Sequence, residues 1–189
     1  MYISEYMTTN PITISSDAYL PEAREIMSTY KFRHLPVVDD AGVLLGIVTD
    51  RDLRSAYPSS VATGDQLAIS QKQVEQTRLS EIMVTDYAFI SPMDTLDDSL
   101  LLLDRIRVGA LPVLDQNKKI LGMFSIRDLT SAYKKLFGMS EKGSVLIAIE
   151  DEGRVNCMSS IIVLLEEQGI PVTRLIRIPG TEEGNGRIY

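Results

Sequence analysis

The sequence predicts an α+β fold made of two tandem copies of one unit, followed by a smaller βαβ unit. Residues Ile3–Tyr57 align without a gap onto Leu79–Tyr133 at a constant shift of 76, and 19 aligned positions are identical. Each copy has apolar patterns typical of a strand, a helix, two strands and a second helix. A unit of about 55 residues is marginal as an independent core, so the copies should pack around a pseudo-twofold axis with two related clefts.

The first helix of each copy is predicted by apolar spacing and by a start signal. In the first copy Pro21 suits the first helical turn. In the second copy Thr95 and Asp98 have the spacing of a capping box, in which the two side chains satisfy free backbone N–H groups. The apolar face of the first of these helices consists of Leu20, Ala23, Ile26, Met27 and Tyr30.

The next two strands follow as apolar runs separated by a turn. Leu35–Asp39 and Leu44–Val48 are joined by an Asp-Ala-Gly sequence (40–42), which predicts a hairpin. The second copy repeats this order at Leu111–Asp115 and Ile120–Phe124. A second helix is expected directly after each hairpin.

These patterns divide the chain into five segments. They are the first copy, a polar connector, the second copy, the βαβ unit and a short tail, over residues 1–57, 58–78, 79–138, 143–180 and 181–189. The connector is long for a loop, so we expect it to contain a short helix around Asp65–Val74.

Charge and composition exclude several classes of protein. The formal net charge of −7 argues against a surface that neutralises many phosphates, so neither nucleic acid nor a membrane surface is an expected partner. The N-terminus lacks the pattern of a secretory signal, and no apolar run approaches the roughly 20 residues that span a bilayer. We therefore expect a cytoplasmic protein.

Catalytic and metal-binding groups are sparse. His34 is the only histidine and Cys157 the only cysteine, which excludes an intrachain disulfide and fits no zinc-ligand spacing. No nucleophile with a base and an orienting partner is visible, and no phosphate-loop or dinucleotide motif occurs. The sequence therefore predicts a protein without catalytic residues, a metal or a catalytic cofactor.

Two related motifs follow the hairpins. Thr49 and Asp52 in the first copy, and Ser125 and Asp128 in the second, stand between an apolar strand and a helix. One interpretation is a capping box that satisfies the first N–H groups of the helix. The other is a ligand site, because a helix N-terminus favours phosphate and a carboxylate accepts hydrogen bonds from ribose hydroxyls.

The order of motifs in both copies resembles the CBS domain family. The first copy contains Met-Thr-Thr-Asn-Pro-Ile-Thr-Ile (7–14), Arg-His-Leu-Pro-Val-Val-Asp (33–39) and Gly-Ile-Val-Thr-Asp-Arg-Asp-Leu (46–53), and the second copy repeats this order. Tandem pairs in this family form Bateman modules, which commonly sense AMP, ADP, ATP or S-adenosylmethionine. The resemblance implies a non-enzymatic regulatory module that passes ligand occupancy to a partner domain or chain.

The resemblance also implies a set of ligand-binding residues. The Asp of each motif would hold the ribose and the Thr or Ser would lie near the phosphate. The strand before the first helix would meet the adenine edge, although Ile14 and Ile90 could equally be core residues, and Arg51 and Arg127 could equally face solvent. The implied set is Thr13, Ile14, Arg33, His34, Thr49, Arg51, Asp52, Phe89, Ile90, Ser125, Arg127 and Asp128.

The two copies differ where a phosphate would lie. Arg33 and His34 resemble a phosphate-contacting pair, whereas the second copy has Gly109 and Ala110. In this family the ribose Asp of one repeat commonly works with basic residues of the other, so Asp128 is expected to share its cleft with Arg33 and His34. Phosphorylated ligands should then depend more on this Asp than on that of the first copy.

The C-terminal unit is predicted as a strand (Ser144–Ile149), a helix (Val155–Gln168) and a strand (Val172–Ile178). It resembles the first half of an ACT domain, which often follows CBS pairs in acetoin-utilisation B-like proteins. That resemblance leaves an amino-acid sensor as an alternative, and a structural dimerisation module without a ligand is another. Because a lone βαβ unit leaves strand edges and apolar residues without cover, we expect a homodimer.

Overall fold

The chain folds into two compact units, Met1–Ala132 and Tyr133–Tyr189. The first contains the first copy, the connector and the second copy up to Ala132, and the second contains the end of the second copy and the whole C-terminal segment. The structure, a computed structural model, describes residues 1–57, 72–139, 141–143, 145–151, 153–180 and 186–189.

The first repeat has the predicted order of helices and strands. Strand β2 (Ile14–Ser15) pairs in parallel with β3 (His34–Val38), and β3 pairs antiparallel with β4 (Leu44–Thr49), so the three form one sheet. A short 3-10 turn (Ile3–Glu5) precedes them. The elements are β1 (Thr8–Thr9), β2 (Ile14–Ser15), α1 (Leu20–Tyr30), β3 (His34–Val38), β4 (Leu44–Thr49) and α2 (Asp50–Ala56).

The second repeat follows the same plan. Ile90 forms a parallel bridge with Val113, at the position where β2 pairs with β3 in the first repeat. Of the helix predicted in the connector, the part before residue 72 lies outside the described residues, and residues 72–76 are helical (α3). A 3-10 turn follows, and the later elements are α4 (Leu96–Ile106), β5 (Ala110–Leu114), β6 (Ile120–Ser125) and α5 (Ile126–Leu136).

The opening segment of each repeat packs on the other repeat. Thr8 of β1 pairs with β6, and Val84, which lies 76 residues after Thr8, forms the equivalent bridge with Ile47 of β4. Val43 and Lys119, which are also 76 residues apart, pair with each other. A pair made of two equivalent positions lies on the symmetry axis, so the hydrogen bonds have the expected pseudo-twofold arrangement.

This exchange of opening segments between the repeats explains why the equivalent positions 46 and 122 are both glycine. A Cβ at Gly122 would lie 2.8 Å from the carbonyl oxygen of Thr8 and 2.8 Å from the sulfur of Met7. A Cβ at Gly46 would lie 2.8 Å from the Met83 sulfur and 3.0 Å from a backbone oxygen. Glycine is therefore needed because another backbone approaches closely, and not because of its φ angle.

The core of each repeat lies between its sheet and its helices. The core cluster of the first repeat contains Ile14, Leu20, Ala23, Met27, Leu35, Val37, Val48 and Leu53, and Val74 of the connector and Leu79 at the start of the second copy complete it. Equivalents of the first eight are also buried in the second repeat. Tyr30 was predicted on the apolar face of α1, and this is wrong, since its side chain is 60% exposed. It is the last residue of α1, and the chain turns away at Lys31, where φ is 57°.

The C-terminal unit contains the predicted helix but different strands. The helix is α6 (Cys157–Glu167), and the strands are β7 (Ile149–Asp151), β8 (Arg177–Ile178) and β9 (Gly186–Ile188). Both β7 and β8 pair antiparallel with β9, which lies between them. The two predicted strands are therefore much shorter than expected, and the assignment of residues 181–189 to a tail is wrong for β9.

The side chains of this sheet explain why the short last strand is central. Ile188 is 1% exposed, and backbone hydrogen bonds join Ile176 to Tyr189 at 2.9 and 2.8 Å. The Arg177 guanidinium in β8 reaches the Asp151 carboxylate in β7 through bonds of 2.5 and 3.0 Å. The edge strands β7 and β8 are thus linked by an ion pair across the central strand β9, which the sequence pattern alone did not reveal.

Candidate functional site

Both Thr/Ser-Asp motifs form capping boxes. Oδ2 of Asp52 accepts hydrogen bonds from the backbone N–H of Thr49 (2.8 Å) and from its hydroxyl (2.6 Å), and the Asp52 N–H donates to that hydroxyl at 3.3 Å. Ser125 and Asp128 repeat this pattern at 2.8, 2.6 and 3.4 Å. Among the described residues, Oδ1 of each carboxylate accepts no hydrogen bond. The cap interpretation is therefore correct for one oxygen, and the other oxygen is available to a ligand.

The start of each capped helix is tied to the first strand of its hairpin. His34 in β3 lies opposite Thr49 in β4, and the carbonyl oxygen of Arg33 accepts the backbone N–H of Asp50 at 3.1 Å. In the second repeat the carbonyl oxygen of Gly109 accepts the N–H of Ile126 at the same distance. The position that is basic in one repeat and small in the other therefore adjoins a helix start in both.

The single histidine of the first repeat packs on the second repeat. A Cβ at Gly109 would lie 3.2 Å from Cε1 and 3.7 Å from Nε2 of His34. His34 thus contacts Gly109, whose carbonyl oxygen accepts the N–H of Ile126, the first residue of α5. Gly109 is therefore not only the loss of a cation, as predicted from the sequence, because it also makes room for the imidazole of His34. The sequence feature that could have indicated this contact is the alignment of Gly109 with Arg33, the residue next to the only histidine.

The surroundings of His34 favour its neutral form. Burial holds its pKa below the usual value, the positive charge of Arg33 lowers this pKa further, and the carboxylate of Asp52 raises it in part. The imidazole is therefore mostly uncharged near neutral pH. An anion placed beside it would raise this pKa and favour proton uptake.

The residues predicted to meet the adenine edge are partly core and partly surface residues. Ile14 and Ile90 are 8% and 3% exposed, so their side chains belong to the core. The N–H and carbonyl of Ile90 are also both used, in bonds to Pro112 and Leu114. Their neighbours Thr13 and Phe89 are half-buried and 50% exposed. Since side chains alternate along extended chain, these neighbours face away from the core.

The three arginines that were predicted to bind the ligand lie on the surface. Arg33, Arg51 and Arg127 are exposed, and none forms an ion pair within the part of the chain that the structure describes. Their long side chains can therefore move toward an anion without breaking an existing contact.

The described residues offer neither a metal site nor a membrane-spanning helix. Within the described ranges, no group of three or more His, Cys, Asp or Glu side chains could hold a metal ion. Cys157, at the start of α6, is a partly exposed free thiol. No described helix is long and apolar enough to cross a membrane.

The chain belongs to the CBS domain family, whose model matches residues 3–59 and 79–135. An inosine-5′-monophosphate dehydrogenase from Aquifex aeolicus is 32% identical over 128 residues, which cover 68% of this chain and 24% of the enzyme. The match is confined to the CBS part of that enzyme. YhcV, a CBS domain-containing protein from Bacillus subtilis, is 30% identical over 127 residues, which cover 67% of this chain and 81% of that protein. The chain thus spans about a quarter of the length of the first relatives it matches.

Solved structures share the fold. AcuB, described as an acetoin utilization protein from Vibrio cholerae, has a TM-score of 0.62 and 27% identity over 77% of this chain and 98% of that chain. CBSX2 from Arabidopsis thaliana in complex with AMP has a TM-score of 0.61 and 21% identity, covering 72% and 98%. The CBS pair of protein MJ0100, in complex with 5′-methylthioadenosine and S-adenosyl-L-methionine, has a TM-score of 0.58 and 23% identity, covering 75% and 98%.

Proposed function

We propose that this protein is a regulatory module that binds AMP, ADP, ATP or S-adenosylmethionine in clefts between its two CBS repeats and performs no chemistry. The observation that carries the proposal is the pair of capping boxes, in which one oxygen of Asp52 and one of Asp128 stays available at a helix start. A carboxylate oxygen in that position suits the vicinal hydroxyls of a ribose. The ligands bound by CBSX2 and by MJ0100 both contain adenosine, which supports this class of ligand.

The proposal includes an asymmetry between the clefts. His34 lies against Gly109, next to the start of the helix that Asp128 caps, and Arg33 is exposed beside it. A phosphate near Asp128 would therefore meet a guanidinium and an imidazole. The other cleft has only glycine and alanine at the equivalent positions. We accordingly assign phosphorylated ligands to the cleft of Asp128, although the charge of Asp52 also acts on His34.

The output of the module would be a change in dimer geometry or in contact with a regulated protein. The chain matches only the CBS part of an enzyme among its relatives, which supports a role that acts on another domain or chain. We propose a homodimer as the assembly that receives the change.

Ligand titration tests this proposal. Isothermal titration of the full chain with AMP, ADP, ATP and S-adenosylmethionine should give a dissociation constant in the micromolar range for at least one ligand, about −8 kcal/mol. The same ligand should raise the melting temperature, because it binds the native state. For a phosphorylated ligand, Asp128→Ala should weaken binding strongly, and Asp52→Ala should weaken it less.

A third capping box supplies the matched control. Thr95 and Asp98 cap α4 with bonds of 3.1, 2.7 and 3.2 Å, which resemble those of the two candidate sites. Asp98→Ala should therefore lose a cap without losing ligand affinity. Absence of heat and of a melting shift with all four ligands would instead favour a structural module with empty clefts. Equal losses from the Asp52 and Asp128 variants would refute the asymmetry.

A further inference from the structure

His34 lies between the two helix starts that carry the candidate ribose carboxylates. The carbonyl oxygen of its neighbour Arg33 accepts the first N–H of α2, and its imidazole packs at Gly109, whose carbonyl oxygen accepts the first N–H of α5. Among the described residues the ring nitrogens take part in no hydrogen bond or ion pair, and no buried side-chain nitrogen there lacks a partner, so both are open to solvent. The imidazole is therefore able to exchange a proton with solvent and to donate a hydrogen bond to a ligand.

The charged groups around His34 differ in their effect on the imidazole. Burial lowers its pKa most, Arg33 on the same strand lowers this pKa further, and Asp52 in the first turn of α2 raises it. The other charged residues at the two helix starts are Asp50, which pairs with Arg54, the exposed Arg51 and Arg127, and Asp128, which caps α5. A phosphate beside Arg33 would offset the repulsion by the guanidinium and attract the imidazolium form directly.

We infer that a phosphorylated nucleotide in the cleft of Asp128 binds together with one proton that His34 takes up from solvent, so that the preference for phosphorylated over phosphate-free adenosine ligands depends on pH. The proton goes to the unprotonated ring nitrogen, and no covalent bond to the ligand forms. By linkage, the affinity for the nucleotide gains a component that grows as the pH falls from the pKa of His34 in the complex to that in the free protein. This inference rests on the proposed function, because it needs the phosphate to lie beside His34.

The single histidine makes this proton uptake directly measurable in the unmodified chain. In isotope-labelled protein without a tag, the Cε1–H nuclear magnetic resonance signal of histidine belongs to His34, because the chain contains no other histidine. The midpoint of its pH titration is compared in the free protein, with saturating AMP, ADP or ATP, and with adenosine. We expect the nucleotide that binds to raise the midpoint by about one pH unit, equivalent to about a tenfold gain in affinity, and adenosine to leave it unchanged.

Two neighbouring variants separate the titrating charge from the fixed charge. A phosphate monoester itself titrates near a pH of about 6, and this contribution is common to all variants. His34→Gln should remove only the imidazole's part of the pH dependence, about tenfold between a pH of about 8 and a pH of about 6. Arg33→Gln should weaken nucleotide binding at both pH values and retain the imidazole's part. Isothermal titration of each folded variant measures these affinities, and the resonance experiment needs no variant.

The outcomes separate this inference from the proposed function. A nucleotide that binds and leaves the His34 midpoint unchanged or lower overturns the inference while the regulatory module stands, and so does binding of S-adenosylmethionine alone. An equal rise with adenosine also overturns it, because the phosphate would then not be the cause. No binding of AMP, ADP, ATP or S-adenosylmethionine refutes the proposed function and this inference together. The expected result is a rise with the nucleotide alone and a pH dependence that His34→Gln reduces and Arg33→Gln retains.

Discussion

The two repeats have the same backbone arrangement and different candidate sites. Identical or similar residues serve the shared features: the capping boxes, the hairpins and the glycines that admit the exchanged segments. The difference lies beside the helix starts. The first repeat has Arg33 and His34 there, and the equivalent residues of the second repeat are the smaller Gly109 and Ala110. The two copies thus keep one scaffold and differ in the residues beside the helix starts.

The largest expected difference between the repeats concerns their cores. Phe124 and Val48 occupy equivalent positions and are both 0% exposed. Phe124→Ala should lower the free energy of unfolding by about 3–5 kcal/mol, because it removes a buried ring and leaves a cavity. Val48→Ala removes fewer atoms and should cost less. Urea denaturation monitored by circular dichroism measures both losses, and equal losses would show that the cores do not differ as described.

The glycines beside the exchanged segments should give a smaller loss of stability that is similar in the two repeats. Gly122→Ala should destabilise the protein by about 1–3 kcal/mol, since its Cβ would meet a backbone oxygen at 2.8 Å. Gly46→Ala should have a similar but slightly weaker effect, as the nearest backbone oxygen is 3.0 Å away. Gly109→Ala, which meets only the imidazole of His34, is the milder control. A Gly109 variant less stable than both others would contradict this order.

The smallest effect is a dependence of stability on pH that only the first repeat should contribute. The folded-state pKa of His34 lies below its ordinary value of 6.5, so the unfolded chain binds more protons in the window between the two values. The free energy of unfolding should therefore fall as the pH drops from 7 through the folded-state pKa. His34→Gln should remove this component, as seen in denaturation curves of both proteins over that range. Identical pH profiles would mean that the pKa of His34 does not differ between the folded and the unfolded chain.

Features that depend on local pattern could be predicted from the sequence. Helix α4 begins at the predicted capping box, and β3 and β4 follow the predicted apolar runs to within one residue. Apolar periodicity and caps act over a few residues, so a single chain reveals them. The roles of Asp52 and Asp128 as caps were visible for the same reason.

Features that depend on distant pairing could not be predicted. The exchange of β1, the central place of β9 and the contact between His34 and Gly109 all join segments far apart in sequence. β9 is only three residues long, and no alternation marks so short a strand. Tyr30 was misplaced because helical spacing continued to the point where the chain turned away.

In the proposed function, the divergent pair Arg33 and His34 gives one of two otherwise equivalent clefts its phosphate-binding site. Isothermal titration with AMP, ADP and ATP tests this assignment, using the wild type and a double variant, Arg33→Gly with His34→Ala, that gives the first repeat the residues of the second. We expect the tightest-binding nucleotide to bind at one site per wild-type chain in the micromolar range and to lose at least tenfold in affinity in the double variant. Two equivalent nucleotide sites per chain, or unchanged affinity in the double variant, would contradict this role of Arg33 and His34.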